Sequence, residues 1–216
     1  KIATLKPHSE RWYVAMVKRF RYGQDLIAES DQYADGDLTA EEIAESLIVA
    51  QAAVAEQTRG IRIKVAKLNS GELAPLEEPE MEALLEYVRR VKDAGVKIIL
   101  TTGPADALKM SLYIKYNPLV LNALGQRIDG TDNEPVQNAV KAYLKNLPFN
   151  GRFELDKLVN ELQAVEGADA AYVVEATARY GLLPFAGFSN YLYVPDAGCL
   201  RLYDPADLVI TFVANV

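Results

Sequence analysis

An α+β chain is what the sequence predicts, and three observations carry the prediction. Apolar residues recur at the 3.6-residue helical spacing in several separated segments, while Leu108, Met110, Leu112 and Ile114 alternate strictly with Lys109, Ser111, Tyr113 and Lys115. Between the last two helical segments lies a tight connection, Pro148-Phe149-Asn150-Gly151, and the second of them runs through Val165-Glu166-Gly167 into a strand. The expected arrangement is a mostly helical part with one strand over residues 1–95, followed over 96–216 by an α+β lobe with a helix-loop-helix unit packed on a mainly antiparallel sheet.

In the N-terminal part, Ser9 is an N-cap for a helix whose face is Trp12, Ala15, Met16, Arg19 and Phe20, ending near Gly23. After the Asp/Gly-rich loop Asp31–Asp37, Thr39 and Glu42 form a capping box for a second helix carrying Ile43, Leu47, Ala50 and Val54, with Gly60 as its stop. Ile61, Ile63 and Val65 alternate with Arg62 and Lys64 at the period of a half-buried strand. The third helix has Pro79 in its first turn, Glu77, Glu78, Glu80 and Glu82 near its start, and Arg89, Arg90 and Lys92 near its end, charges that complement the helix dipole. Its apolar stripe is Met81, Leu84, Leu85, Val88 and Val91, and Gly95 follows as the C′ residue.

In the second part, the apolar run Val96–Leu100 predicts a central strand and Leu108–Lys115 a strand with one wet face. The polar tract Gly125–Asn133 reads as a linker. Pro135 opens a helix with Val136, Val140, Tyr143, Leu144 and Leu147 on one face, and the next carries Leu155, Leu158, Val159, Leu162 and Val165. Their short connection makes them adjacent and roughly antiparallel. Strands are expected at Tyr172–Val174, Asn190–Val194, Leu200–Tyr203 and Leu208–Val213, with Cys199 in a hairpin.

Composition narrows the function classes. Half of the 216 residues are hydrophobic and a quarter charged, as in a folded globular protein, and the net charge of −7 argues against a dominant nucleic-acid or anionic-membrane surface. One cysteine excludes an intrachain disulfide and a cysteine-based zinc site. No apolar run approaches the roughly 20 residues that cross a bilayer, and Lys1–Lys6 lacks the apolar core of a signal peptide.

Chemistry-bearing motifs are sparse. Set against a twelve-residue EF-hand loop, Asp31, Asp35, Gly36 and Glu42 fall at positions 1, 5, 6 and 12, but position 3 is Tyr33 and Glu42 already has a capping role. A turn followed by a helix cap is the preferred reading, and a calcium-responsive module using Asp31, Asp35, Asp37 and Glu42 is the alternative. His8 stands alone, without a nucleophile beside it, and reads as a surface or capping residue. Cys199 reads as a buried thiol. Acid pairs such as Glu41/Glu45 are solvated helix-face neighbours, and Thr102-Gly103-Pro104-Ala105 lacks the glycines and lysine of a phosphate loop. Tyrosines crowd the C-terminal third (Tyr180, Tyr191, Tyr193, Tyr203), which suits either a contact surface or a β-core. No catalytic, cofactor or metal residue is assigned; an enzyme acting through carboxylates in a cleft between the lobes is the remaining alternative.

The tract Pro135–Phe153 (PVQNAVKAYLKNLPFNGRF), continued by Leu158–Gly167 (LVNELQAVEG), resembles the C-terminal region of baseplate J-like proteins. These are wedge components of contractile phage tails and related injection machines. Lys109–Tyr116, Ala94-Gly95-Val96 and the closing Pro195–Leu202 are similar to further elements of that family, while Ala168 departs from the valine usual after the glycine. The resemblance spans about Ala94 to Val216 and implies a non-enzymatic structural protein of a phage or prophage tail. Its partners would be other tail proteins and further copies of itself, with no nucleic acid, membrane or cofactor. It would reside in the bacterial cytoplasm during assembly and then in the virion or tail-like particle.

Overall fold

The computed structural model describes residues 5–188 and 190–215. Lys1–Thr4, the start of the segment read above for a leader, lie outside them. The chain is α+β with mostly antiparallel strands and divides into two compact units, Lys1–Pro104 and Ala105–Val216. No helix among the described residues is long and apolar enough to cross a membrane.

The first unit contains α1 (Glu10–Lys18), α2 (Ala40–Ser46), β1 (Gln51–Gln57), β2 (Gly60–Asn69), β3 (Glu72–Ala74), α3 (Glu78–Val91) and β4 (Ile98–Thr101). Ser9 caps α1, its hydroxyl accepting from the Trp12 N–H, but the helix stops at Lys18 rather than near Gly23. The Thr39/Glu42 capping box forms, yet α2 ends at Ser46. Ala50 and Val54 are not helical: Gln51–Gln57 pairs antiparallel with β2 across a two-residue turn, so the expected long second helix is replaced by a hairpin. Gly60 closes that hairpin instead of stopping a helix. The part expected to be mostly helical with one strand therefore holds a four-stranded sheet.

Val96–Leu100, expected as a central strand, supplies the edge strand β4, which among the described residues pairs only with β2, in parallel, and Ile99 is 42 % exposed. That pairing also explains why the first unit runs on to Pro104 instead of ending at residue 95: β4 belongs to its sheet. Glu77 is the N-cap of α3 and forms a capping box with Glu80, and the helix ends at Val91 with Lys92 as C-cap. Gly95 is displaced from the C′ position into the following turn, with φ +82°. The core gathers Met16 and Val17 of α1, Ile63 and Val65 of β2, and Leu84 and Val88 of α3, all essentially solvent-free.

The second unit contains β5 (Asp106–Tyr116), α4 (Pro135–Asn146), β6 (Phe153–Glu154), α5 (Leu155–Gln163), β7 (Ala168–Arg179), β8 (Ala186–Gly187), β9 (Leu192–Tyr193), β10 (Leu200–Arg201), a 3₁₀ turn at Pro205–Asp207 and β11 (Leu208–Ala214). β5 is central: β7 pairs with it antiparallel, while β10 and β11 lie parallel along its other side. Cys199 accordingly leads into a parallel strand, not a hairpin. Leu108, Met110, Leu112 and Ile114 of β5 are buried as their alternation requires, in one core with Val136 and Val140 of α4 and Leu158 and Leu162 of α5. Phe153, fully buried, sits edge-on to Tyr143 and Phe188. The turn joining α4 to α5 is held by the Asn150 N–H, which donates to the Gly198 carbonyl at 2.6 Å.

Candidate functional site

The residues singled out as chemical candidates do not converge. Asp35 pairs with Arg21 at 2.6 Å, and one Glu42 oxygen accepts from the Thr39 N–H and hydroxyl at 2.8 and 2.9 Å. Asp31 lies 3.9 Å from Arg19. Among the described residues no group of three or more His, Cys, Asp or Glu side chains is placed to hold a metal ion. His8, with φ +64°, lies 2.7 Å from Asp93, whose same oxygen accepts from the Tyr13 hydroxyl at 2.6 Å. Thr102, just past β4, ties β2 to the segment before α3: its hydroxyl donates to the Val65 carbonyl and accepts from the Leu76 N–H. Burial pushes the Cys199 thiol up, away from thiolate reactivity.

Asp93 carries a pH consequence. The Tyr13 hydrogen bond, aided by His8, holds its carboxyl below the ordinary range. A depressed carboxylate stabilises the fold above the unfolded pKa and loses that contribution as pH falls. Tyr13→Phe is therefore expected to shrink the acid-side loss of stability. Urea midpoints for both proteins between pH 6 and about pH 3, spanning the ordinary Asp value, check this; superimposable curves would refute it.

One buried acid went unforeseen. Asp106 is solvent-free at the start of β5. Its carboxylate accepts from the Tyr193 hydroxyl at 2.5 Å and from the Asp196 and Ala197 N–H groups at 2.8 and 2.9 Å. Burial raises its pKa, against the hydrogen bonds, which lower it. With both oxygens engaged by the chain itself, Asp106 is an anchor for residues 193–197. Its only sequence signal is an acid opening an apolar alternation, which also suits an exposed strand end.

Two surface features of the second unit stand out. The first is the loop from Asn117 to Asp132, read from sequence in part as a linker. It is locked: Asn117 N–H donates to the Gly167 carbonyl, Ile128 N–H to Val120, Asn122 N–H to Gln126 and Arg127 N–H to Asp132, each at 2.9–3.0 Å. Leu121 is fully buried beneath it, and Arg127 joins Asp129 at 2.8 Å and Glu166 at 2.6 Å. Arg127 and Thr131 hold the Asp129 carboxyl far below the usual carboxylate range. Yet this fixed loop presents Leu119 at 86 %, Leu124 at 72 % and Ile128 at 57 % exposure.

The second is a groove of about 920 Å³. Its floor is the edge of β7 from Ala171 to Ala176, one wall is the stripe of α5 that carries Leu155 and Val159, and the other is formed by Phe188 and Asn190–Leu192. Leu158 and Leu162 of the same helix are buried in the core, against which Leu155 and Val159 are also packed, half-buried.

No protein-family model and no curated protein matches the chain.

Proposed function

We propose that this chain is a structural component of a phage or prophage contractile-tail baseplate, of the baseplate J-like kind, acting by protein–protein assembly rather than by turnover. The observation that supports it best is the locked loop Asn117–Asp132, where hydrogen bonds and ion pairs hold three large apolar side chains out in solvent. Apolar side chains on a preorganised loop lose little conformational entropy when covered, which favours a contact surface. Asp35, Glu42 and the buried Asp106 are engaged in an ion pair, a helix cap and an anchor respectively. Two amphipathic helices burying their stripes in one core with β5 make a stiff block suited to a wedge.

The full chain is expected to self-associate with rising concentration, or to co-purify with tail proteins encoded beside its gene. The triple variant Leu119→Asp/Leu124→Asp/Ile128→Asp should abolish that association and leave the circular dichroism unchanged. Sedimentation velocity and co-expression pull-downs measure both. A chain that stays monomeric and captures none of the neighbouring tail proteins overturns the reading.

A further inference from the structure

Among the described residues β7 has strands on both sides only at Thr177 and Ala178, which pair with Gly187 and Ala186 of β8. From Ala170 to Val173 it runs in unbroken register with β5, opposite Lys115, Ile114, Tyr113 and Leu112. On its other side no strand among the described residues pairs with that stretch. Register shifts bracket the segment, at Val174 and at Asp169. Such irregularities blunt a sheet edge outside the regular stretch and leave the four residues between them able to pair.

We infer that this edge is a strand-addition site for an extended segment of a partner protein carrying alternating apolar and basic residues. An edge offers backbone donors and acceptors at the strand repeat, and another extended chain matches that spacing. The regular stretch from Ala170 to Val173 spans about 10 Å at 3.3 Å per residue, enough for a strand of three or four residues. Leu155 and Val159 of α5 line the groove beside the edge and provide an apolar wall for alternate side chains. The charge selects the other face: three carboxylates, Glu154, Asp156 and Glu175, line the groove against one guanidinium, Arg152. Lys157 engages Glu154 at 3.1 Å, whereas Asp156 and Glu175 have no ion-pair partner among the described residues. An incoming lysine or arginine supplies the missing charge.

The inference deepens the assembly reading and rests on it for the partner being a protein. The test uses the full chain and a fluorescein-labelled hexapeptide of alternating valine and lysine. Saturable anisotropy is expected, with slowed amide hydrogen exchange confined to the segment covering Asp169–Ala176. Replacing lysine by glutamate, or N-methylating alternate amides of the peptide, should each weaken binding by about tenfold or more, through charge repulsion and loss of backbone donors respectively. Asp156→Lys/Glu175→Lys, at two exposed positions, should reverse the preference between the lysine and glutamate peptides while the circular dichroism is retained. Equal binding of the N-methylated peptide, no protection at β7, or protection that rises with protein concentration alone, which would place a second copy there, overturns the inference. Absence of peptide binding in a chain that still associates through Leu119, Leu124 and Ile128 removes this inference and leaves the assembly reading in place.

Discussion

Asp106→Ala is expected to destabilise the second unit by about 3–5 kcal/mol, since three donors lose their acceptor at up to about 1–3 kcal/mol each where water does not replace it. The carboxylate is solvent-free, and its loss strands three donors at once: the Tyr193 hydroxyl and the Asp196 and Ala197 N–H groups. Those donors hold the segment that leads into β10, whose Leu200 pairs directly with Asp106. Since domains are stable by only about 5–15 kcal/mol, such a loss removes a large share of the total. Urea or thermal unfolding measures it, and a change under 1 kcal/mol would show that the anchor is dispensable.

Asp106→Asn separates charge from shape. Because burial raises the native pKa of Asp106, its protonated form is favoured in the folded state more than in the unfolded chain. Its contribution to stability is therefore greatest below the unfolded value and declines as pH rises from there through the native one. The difference in stability between the wild type and Asp106→Asn is expected to shift in the wild type's favour as pH is lowered through that window, with a sign opposite to the Asp93 effect. A pH-independent difference would contradict it.

What could be read from the sequence follows from where local rules and tertiary pairing agree. The alternation of Leu108–Lys115 returned β5 with its apolar face buried, and the Thr39/Glu42 and Pro79 signals located the starts of α2 and α3, because caps and one-sided burial are properties of the local chain. The stripes of α4 and α5 behaved likewise. The hairpin of β1 and β2 was hidden because Ala50 and Val54 also fit a helical period, and only pairing with Ala66 to Gly60 decides between the two. Parallel pairing of β4, β10 and β11 joins residues distant in sequence, so no adjacent turn announces it. The rigidity of Asn117–Asp132 was equally illegible: a polar, glycine-containing tract signals a linker, and its hydrogen bonds to Gly167 and Glu166 depend on β7 being in place. The open edge of β7 is a matter of what does not pair, which periodicity does not encode.

Gly60→Ala tests the hairpin most sharply. Gly60 adopts φ +147°, a region that side chains rarely enter, and a Cβ built there falls 2.3 Å from the Lys97 carbonyl oxygen. That oxygen accepts the Ile61 N–H at 2.9 Å at the junction of β2 and β4, so a methyl group displaces backbone rather than the end of a flexible side chain. Backbone strain of about 1–3 kcal/mol and overpacking of about 1–3 kcal/mol together predict a loss of roughly 2–6 kcal/mol in the first unit. Gly36→Ala is the internal control: with φ +50° and nothing within 4 Å of its built Cβ, it carries left-handed strain alone, about 1–2 kcal/mol. Denaturant unfolding of the two variants should therefore separate them clearly, with hydrogen exchange in Ile61–Lys64 accelerated only for Gly60→Ala. Equal losses in the two variants would mean that the β2–β4 junction does not constrain residue 60, and that the parallel pairing of Ile98–Thr101 contributes little to the unit's stability.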